Sequence, residues 1–139
     1  MIVLDTNVIS EVWRIKPSAA VMAWMGSQPA TSFFTTTITE AELFYGLALL
    51  PDGRRRRSLE VIAEQVFAED FAGRVLPFDS AAAREYAVIA ASRRKAGRPM
   101  SEADARIAAI SRSRDAVLAT RNVGDFADCG LTLKNPWTP

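Results

Sequence analysis

Ile2-Val3-Leu4 is a short, wholly apolar run that stops at Asp5 and is followed by the small polar residues Thr6 and Asn7. A strand with no polar alternate is buried on both faces, as in a parallel sheet covered by helices on either side. Such sheets bind their ligands in the crevice beyond the carboxyl ends of the strands, and Asp5 stands there. A carboxylate in that position is costly to desolvate unless something pairs with it.

The chain beyond Asp5 alternates helices with short strands. Val8, Ile9 and Val12, extended by Trp13, mark a first helix ending before Lys16-Pro17. Ser18 caps a second, carrying Val21, Met22, Trp24 and Met25, that stops near Gly26 and Pro29. Ser32 to Ile38 reads as the second strand, and Thr39 opens a third helix running to about Leu50, with Pro51-Asp52-Gly53 as a turn. Arg54 to Arg57 lead into Leu59, Ile62, Ala63, Val66 and Phe67, which share one helical face. Arg74 to Phe78 is a third strand, Ser80 to Ala96 a helix stopped at Gly97, and Ser101 to about Arg112 another helix. Ala116 to Ala119 and Leu131 to Leu133 complete five strands, and the tail from Asn135 to Pro139 extends neither type of element. Strands separated by helices imply a three-layer α/β/α fold with a mostly parallel five-stranded sheet. With 139 residues and no repeat, low-complexity stretch or linker, residues 1–139 read as a single domain.

Composition limits the chemistry by what it lacks. There is no histidine and only one cysteine, Cys129. That excludes Ser-His-Asp and Cys-His catalysis, an internal disulfide, and most zinc sites. Hydrolysis in such a chain falls to carboxylates, which prefer hard cations such as Mg²⁺ or Mn²⁺. The net charge of +1 points to no partner. All but three of the 17 basic residues are arginine, whose planar fork suits phosphate, although a GC-rich genome produces the same bias. The apolar start breaks at Asp5, unlike a signal peptide, and no apolar run reaches the roughly 18 residues of a membrane span, so a cytoplasmic protein is expected.

Glu42, Asp104, Asn122 and Asp125 fall near expected strand ends or helix starts, and a parallel sheet can gather them beside Asp5. Each has a plain alternative. Thr39 to Glu42 and Ser101 to Asp104 both have capping-box spacing, and Asp125 beside Gly124 suits a turn. Asp5 has no such second explanation. Together, several carboxylates without a cationic partner repel one another, and one or two bound cations relieve that repulsion. Two such ions can drive phosphodiester hydrolysis.

The segments Ile2 to Asn7, Glu42 to Gly46, Asp104 to Ala109 and Ala119 to Phe126, with Asn135-Pro136-Trp137 at the end, resemble PIN-domain ribonucleases, especially VapC-type toxins of the FitB-like branch. The resemblance spans essentially the whole chain. It implies a Mg²⁺- or Mn²⁺-dependent endoribonuclease, the toxin of a toxin–antitoxin pair, leaving 5′-phosphate and 3′-hydroxyl ends. It also implies a cognate antitoxin and a homodimer. Asp5, Glu42 and Asp104 match the central metal-binding acids; the fourth position falls at Asn122 or at Asp125, with Asp125 favoured as the acid and Asn122 as a neutral helper. Thr6, Asn7 and Thr120 would support these ligands or contact phosphate, and Arg106 and Arg121 would hold the scissile phosphate.

Arg54, Arg55, Arg56 and Arg57, and the cluster Arg93, Arg94, Lys95 and Arg98, are either solvated helix faces or contacts to the RNA backbone. Trp13 and Trp24 are either core or a surface for an antitoxin or a second copy. Haloacid-dehalogenase-like chemistry needs an aspartate where this chain has Asn7. The remaining alternative is a catalytically weak PIN-fold module that binds RNA or protein.

Overall fold

A computed structural model describes residues 1–139. The chain order is β1 (Ile2–Leu4), α1 (Thr6–Val12), α2 (Ala19–Gly26), β2 (Phe33–Thr36), α3 (Thr37–Ala48), α4 (Arg54–Gln65), β3 (Val75–Leu76), α5 (Ser80–Lys95), α6 (Glu102–Ser113), β4 (Val117–Ala119) and β5 (Thr132–Lys134). Short helical turns at Ala30–Ser32, Val66–Asp70 and Val123–Phe126 join them. The five strands lie in the order β3-β2-β1-β4-β5, and every pairing is parallel.

Two-residue periodicity builds the layers. Val3 and Leu118 pack on one side against α5 and α6 through Ala82, Ile89, Ile107 and Ile110. Their neighbours Leu4 and Ala119 pack on the other side with Val8, Ile9, Val21, Trp24 and Phe67. Consecutive residues of each strand therefore enter opposite cores, which explains why β1 and β4 tolerate no polar position. The expected α/β/α architecture is what forms, with a sheet that is wholly parallel.

Several boundaries differ from expectation. The second strand is shorter than Ser32 to Ile38, because the Thr36 hydroxyl accepts the Thr39 N–H at 3.1 Å and starts α3 at Thr37. Arg54 to Arg57 form the first turn of α4 itself. The end of α4 loosens into a wider turn in which the Phe71 N–H reaches the Val66 carbonyl at 2.9 Å. That extra residue keeps Val66, Phe67 and Phe71 all buried. The fifth strand sits one residue later than Leu131 to Leu133.

β1 is the switch point. The chain moves from β1 outward to β2 and β3, then returns to the other side for β4 and β5. The crevice of an open parallel sheet lies where the strand order reverses, here at the ends of β1 and β4. Leu4 pairs with Ala119, so Asp5 and Thr120 leave the sheet side by side.

Candidate active site

Asp5 is 5% exposed although nothing cationic pairs with it. Its Oδ1 accepts the Thr6 N–H at 2.8 Å, and its Oδ2 accepts the Thr120 hydroxyl at 2.8 Å and the Asn7 amide at 3.4 Å. Burial pushes its carboxyl up from an ordinary 3.8 to about 6, against those hydrogen bonds and with help from the negative charge of Asp104 and Glu42. Asp5 also caps α1. This corrects the expectation that it has no structural explanation, though a serine would cap without burying a charge.

Glu42 changes in the opposite sense. With α3 beginning at Thr37, its capping residue is Thr36, and Glu42 lies in the second turn. The capping-box reading of Thr39 to Glu42 is therefore wrong. Glu42 is exposed, and its Oε1 instead accepts the hydroxyl of Thr6 at 2.8 Å across the cleft. Ser101 does cap α6, accepting the Asp104 N–H at 3.2 Å. The Asp104 carboxyl is raised chiefly by burial, then by Asp125 and Glu42, with the Ser101 hydroxyl lowering it.

The cleft at the switch point has a volume of about 530 Å³, and its walls include Asp5, Thr6, Asn7, Glu42, Asp104, Arg121 and Asn122. Asp125 lies outside it, in an adjoining hollow bounded by Arg93, Ser101 and Asp104. Asn7 latches two strand ends together: its carbonyl oxygen accepts the Arg121 N–H at 3.3 Å, and its amide reaches the Thr120 hydroxyl at 3.4 Å. Asn122 is tied to the same hydroxyl through its N–H, at 3.1 Å.

The acids converge on the cleft without three of them closing into a ready cluster. Their chemistry still fits a hard divalent cation: each acid offers oxygen, the charges that act on Asp5 and Asp104 are those of other carboxylates, and the most buried acid resists ionisation.

The arginines divide. Arg121 faces the cleft, with its guanidinium carbon 5.1 Å from the centre of the Trp137 ring. Arg106 turns away to Glu102 at 3.6 Å and to the face of Phe78, so its expected place on the scissile phosphate is not met. Arg56 pairs with Glu60 and Arg57 with Asp52, away from the cleft walls, while Arg54 and Arg55 are exposed. Arg93 is 8% exposed. Its guanidinium donates to the carbonyls of Arg98, Asp125 and Ala127 at 2.8, 3.1 and 2.8 Å. It staples the segment carrying Asp125 and cannot belong to a solvated face.

The PIN domain family model matches residues 2–129. A VapC ribonuclease of Sinorhizobium fredii is 43% identical over 100% of this chain and 99% of its own length. Toxin FitB of Neisseria gonorrhoeae is 40% identical over 99% of each chain. The crystal structure of FitAcB from Neisseria gonorrhoeae superposes with a TM-score of 0.88 at 37% identity, covering 100% of both chains. This chain belongs to the PIN-domain family, in its VapC/FitB branch.

The PIN domain's cleft also contains residues the sequence reading passed over. Ser10, Glu11 and Arg14 line it together with Trp137. Asn7, Ser10, Glu11 and Arg14 recur at helical spacing, a polar stripe along α1 and the turn after it that the sequence carries. Glu11 is 6% exposed and lies 3.5 Å from the Arg14 guanidinium. Trp137, known from the sequence only as part of the closing Asn135-Pro136-Trp137 of the resemblance, packs on the α1–α2 side core, and Pro136 before it is buried. Of the two tryptophans considered as a partner surface, Trp24 is 7% exposed and packs against Phe33, so it is a core residue. Trp13 lines an apolar groove of about 220 Å³ with Leu4, Ile9, Val12, Phe33 and Phe71.

Proposed function

We propose that this PIN domain is a metal-dependent endoribonuclease, the toxin of a type II toxin–antitoxin pair, and that Asp5, Glu42 and Asp104 hold its Mg²⁺, with Mn²⁺ as a substitute. The observation that carries this reading is a buried Asp5, in no ion pair, that shares its cleft with Glu42 and Asp104 and feels their negative charge. Asn122, which lines the cleft, contributes its amide oxygen, and Asp125 adds negative charge from the adjoining hollow. The cation supplies activation of water and neutralisation of charge developing on the phosphate.

The protein's own side chains do the positioning. Thr120 and the Thr6 N–H fix both oxygens of Asp5, and the Thr6 hydroxyl orients Glu42. Arg121, exposed at the rim, takes a non-bridging phosphate oxygen. Water adds to phosphorus as the bond to the 3′-oxygen breaks, and a proton passes to that oxygen, leaving 5′-phosphate and 3′-hydroxyl ends. Mixing the purified protein with RNA in Mg²⁺, in EDTA, and with Asp5→Asn tests this. Cleavage that survives EDTA or the substitution refutes it.

Relatives named as VapC ribonuclease, Toxin FitB and FitAcB support the toxin role. The apolar groove beside Trp13 receives the antitoxin, and self-association uses the exposed apolar side chains Tyr45 of α3, Leu49 at its C-cap, and Val61 and Ile62 of α4. No helix is long and apolar enough to cross a membrane, and we place its action in the cytoplasm, as one domain spanning the chain. The acids' failure to form a three-member cluster favours a second reading, a weakly catalytic RNA- or protein-binding module. Metal binding by Asp5 without RNA cleavage would select it.

A further inference from the structure

We propose that Arg121 and Trp137 form a nucleobase-stacking subsite at the rim of the acidic cleft, seating the base beside the scissile phosphate of single-stranded RNA. The inference deepens the ribonuclease reading and rests on it. Of the 11 residues lining the cleft, Trp137 alone is hydrophobic. An apolar aromatic wall has no part in binding a cation or a phosphate. It suits the remaining piece of a nucleotide, the base.

Both members are held in place. The Trp137 N–H donates to the Asn135 side-chain oxygen at 2.9 Å, the following Thr138 N–H returns to the Asn135 carbonyl at 3.2 Å, and the indole packs against the core. The Arg121 N–H is bonded to Asn7, whose amide contacts Asp5, so the pair is referenced to the buried acid through two hydrogen bonds. Arg121 lies over the indole and makes no ion pair, although its cleft contains several carboxylates; Arg14 and Arg106 are both paired. Its donors therefore remain free for phosphate while its guanidinium carbon rests 5.1 Å from the centre of the ring. A base stacks on this guanidinium–indole platform, as unpaired RNA bases do on aromatic rings and arginine planes. Stacking of this kind accepts any base, so the subsite selects single strands over duplexes and gives little sequence choice.

The test measures binding of a short labelled single-stranded oligoribonucleotide in EDTA by fluorescence anisotropy, alongside oligomers carrying one abasic position. Trp137→Ala weakens binding about tenfold, and Trp137→Phe restores most of it. The abasic position next to the scissile bond weakens the wild type by a similar factor and adds nothing to Trp137→Ala. Arg121→Ala, at an exposed position, provides the same cycle without disturbing the core, and Arg121→Lys keeps the salt dependence while losing the stack. Equal abasic losses in wild type and variants, or no loss in either, overturn the subsite. RNA cleavage by the wild type in Mg²⁺ is scored separately. A wild type that cuts RNA but shows no abasic effect loses the subsite alone, whereas one that cuts nothing loses the ribonuclease reading.

Discussion

Asp5→Asn makes the sharpest prediction because it should stabilise the protein while abolishing its activity. The carboxyl of Asp5 is raised from 3.8 to about 6 by burial, and each unit corresponds to about 1.36 kcal/mol. Carrying the charge in the folded chain therefore costs about 3 kcal/mol at pH values well above 6. Asparagine is nearly isosteric. Its oxygen can keep the bond from the Thr6 N–H, and its amide can donate to the Thr120 hydroxyl only by displacing the 3.4 Å contacts that the Asn7 amide makes to Oδ2 and to that hydroxyl. Losing the charge-assisted bonds returns part of the gain, leaving a net stabilisation of about 2 kcal/mol, or roughly 6 °C in Tm for a chain of this size.

The pH dependence has a definite sign. Between 3.8 and about 6 folded Asp5 binds its proton more tightly than unfolded Asp5, so wild-type stability rises relative to the variant as pH falls through that window. The gap is widest in EDTA at about pH 8 and closes on acidification as the native carboxyl takes up a proton. Adding Mg²⁺ at about a hundredfold over its dissociation constant returns about 2.7 kcal/mol to the wild type and far less to Asp5→Asn. Thermal melts over pH, in EDTA and in Mg²⁺, check all three. A variant less stable than wild type in EDTA, or a gap that ignores pH, would refute the desolvation argument. Equal Mg²⁺ stabilisation of both proteins would refute Asp5 as a ligand.

Other substitutions separate structure from chemistry. Glu42→Gln, at an exposed position, should shift stability by no more than about 0.5 kcal/mol yet abolish RNA cleavage and weaken Mn²⁺ binding in calorimetry. Ser101→Ala should cost about 1 kcal/mol through loss of the α6 cap, read from urea unfolding, and leave Asp5 and Glu42 in place. Arg93→Ala should cost about 3 kcal/mol, since it strips three carbonyls of their donor, and amide exchange should rise from Val123 to Cys129. Asn122→Ala should impair cleavage more than Asp125→Ala, because only Asn122 faces the cleft.

The layering was legible because it is written with a period of two. Val3 and Leu4 are both apolar because each faces a different helical layer, and Leu118-Ala119 repeats the pattern. Boundaries were less legible where one residue type serves two structures. Thr35 and Thr36 read as strand from their β-branching, and so does Thr37, but the Thr36 hydroxyl turns the chain into α3. The wider turn after α4 left no local mark, since the same apolar residues would fit an unbroken helix.

Two helix starts reverse the weights of two acids. By spacing alone, Glu42 had a cap to serve and Asp5 had none; in the fold, Asp5 caps α1 and Glu42 caps nothing. The reversal strengthens the case for a site. A cap accounts for one Asp5 oxygen at most, and serine performs that duty without a buried charge of about 3 kcal/mol. Glu42, freed of a structural task, is nevertheless held across the cleft by Thr6, the residue next to Asp5. The place of Trp137 in the cleft was not legible. Its tail belongs to no regular element, and only the packing of Pro136 and Trp137 against the body of the sheet brings an aromatic ring to an otherwise polar cleft. Residues recruited by tertiary packing leave no periodic trace, so the tail is where sequence reasoning stops first, and Asp5, at the end of β1, is where it reaches furthest.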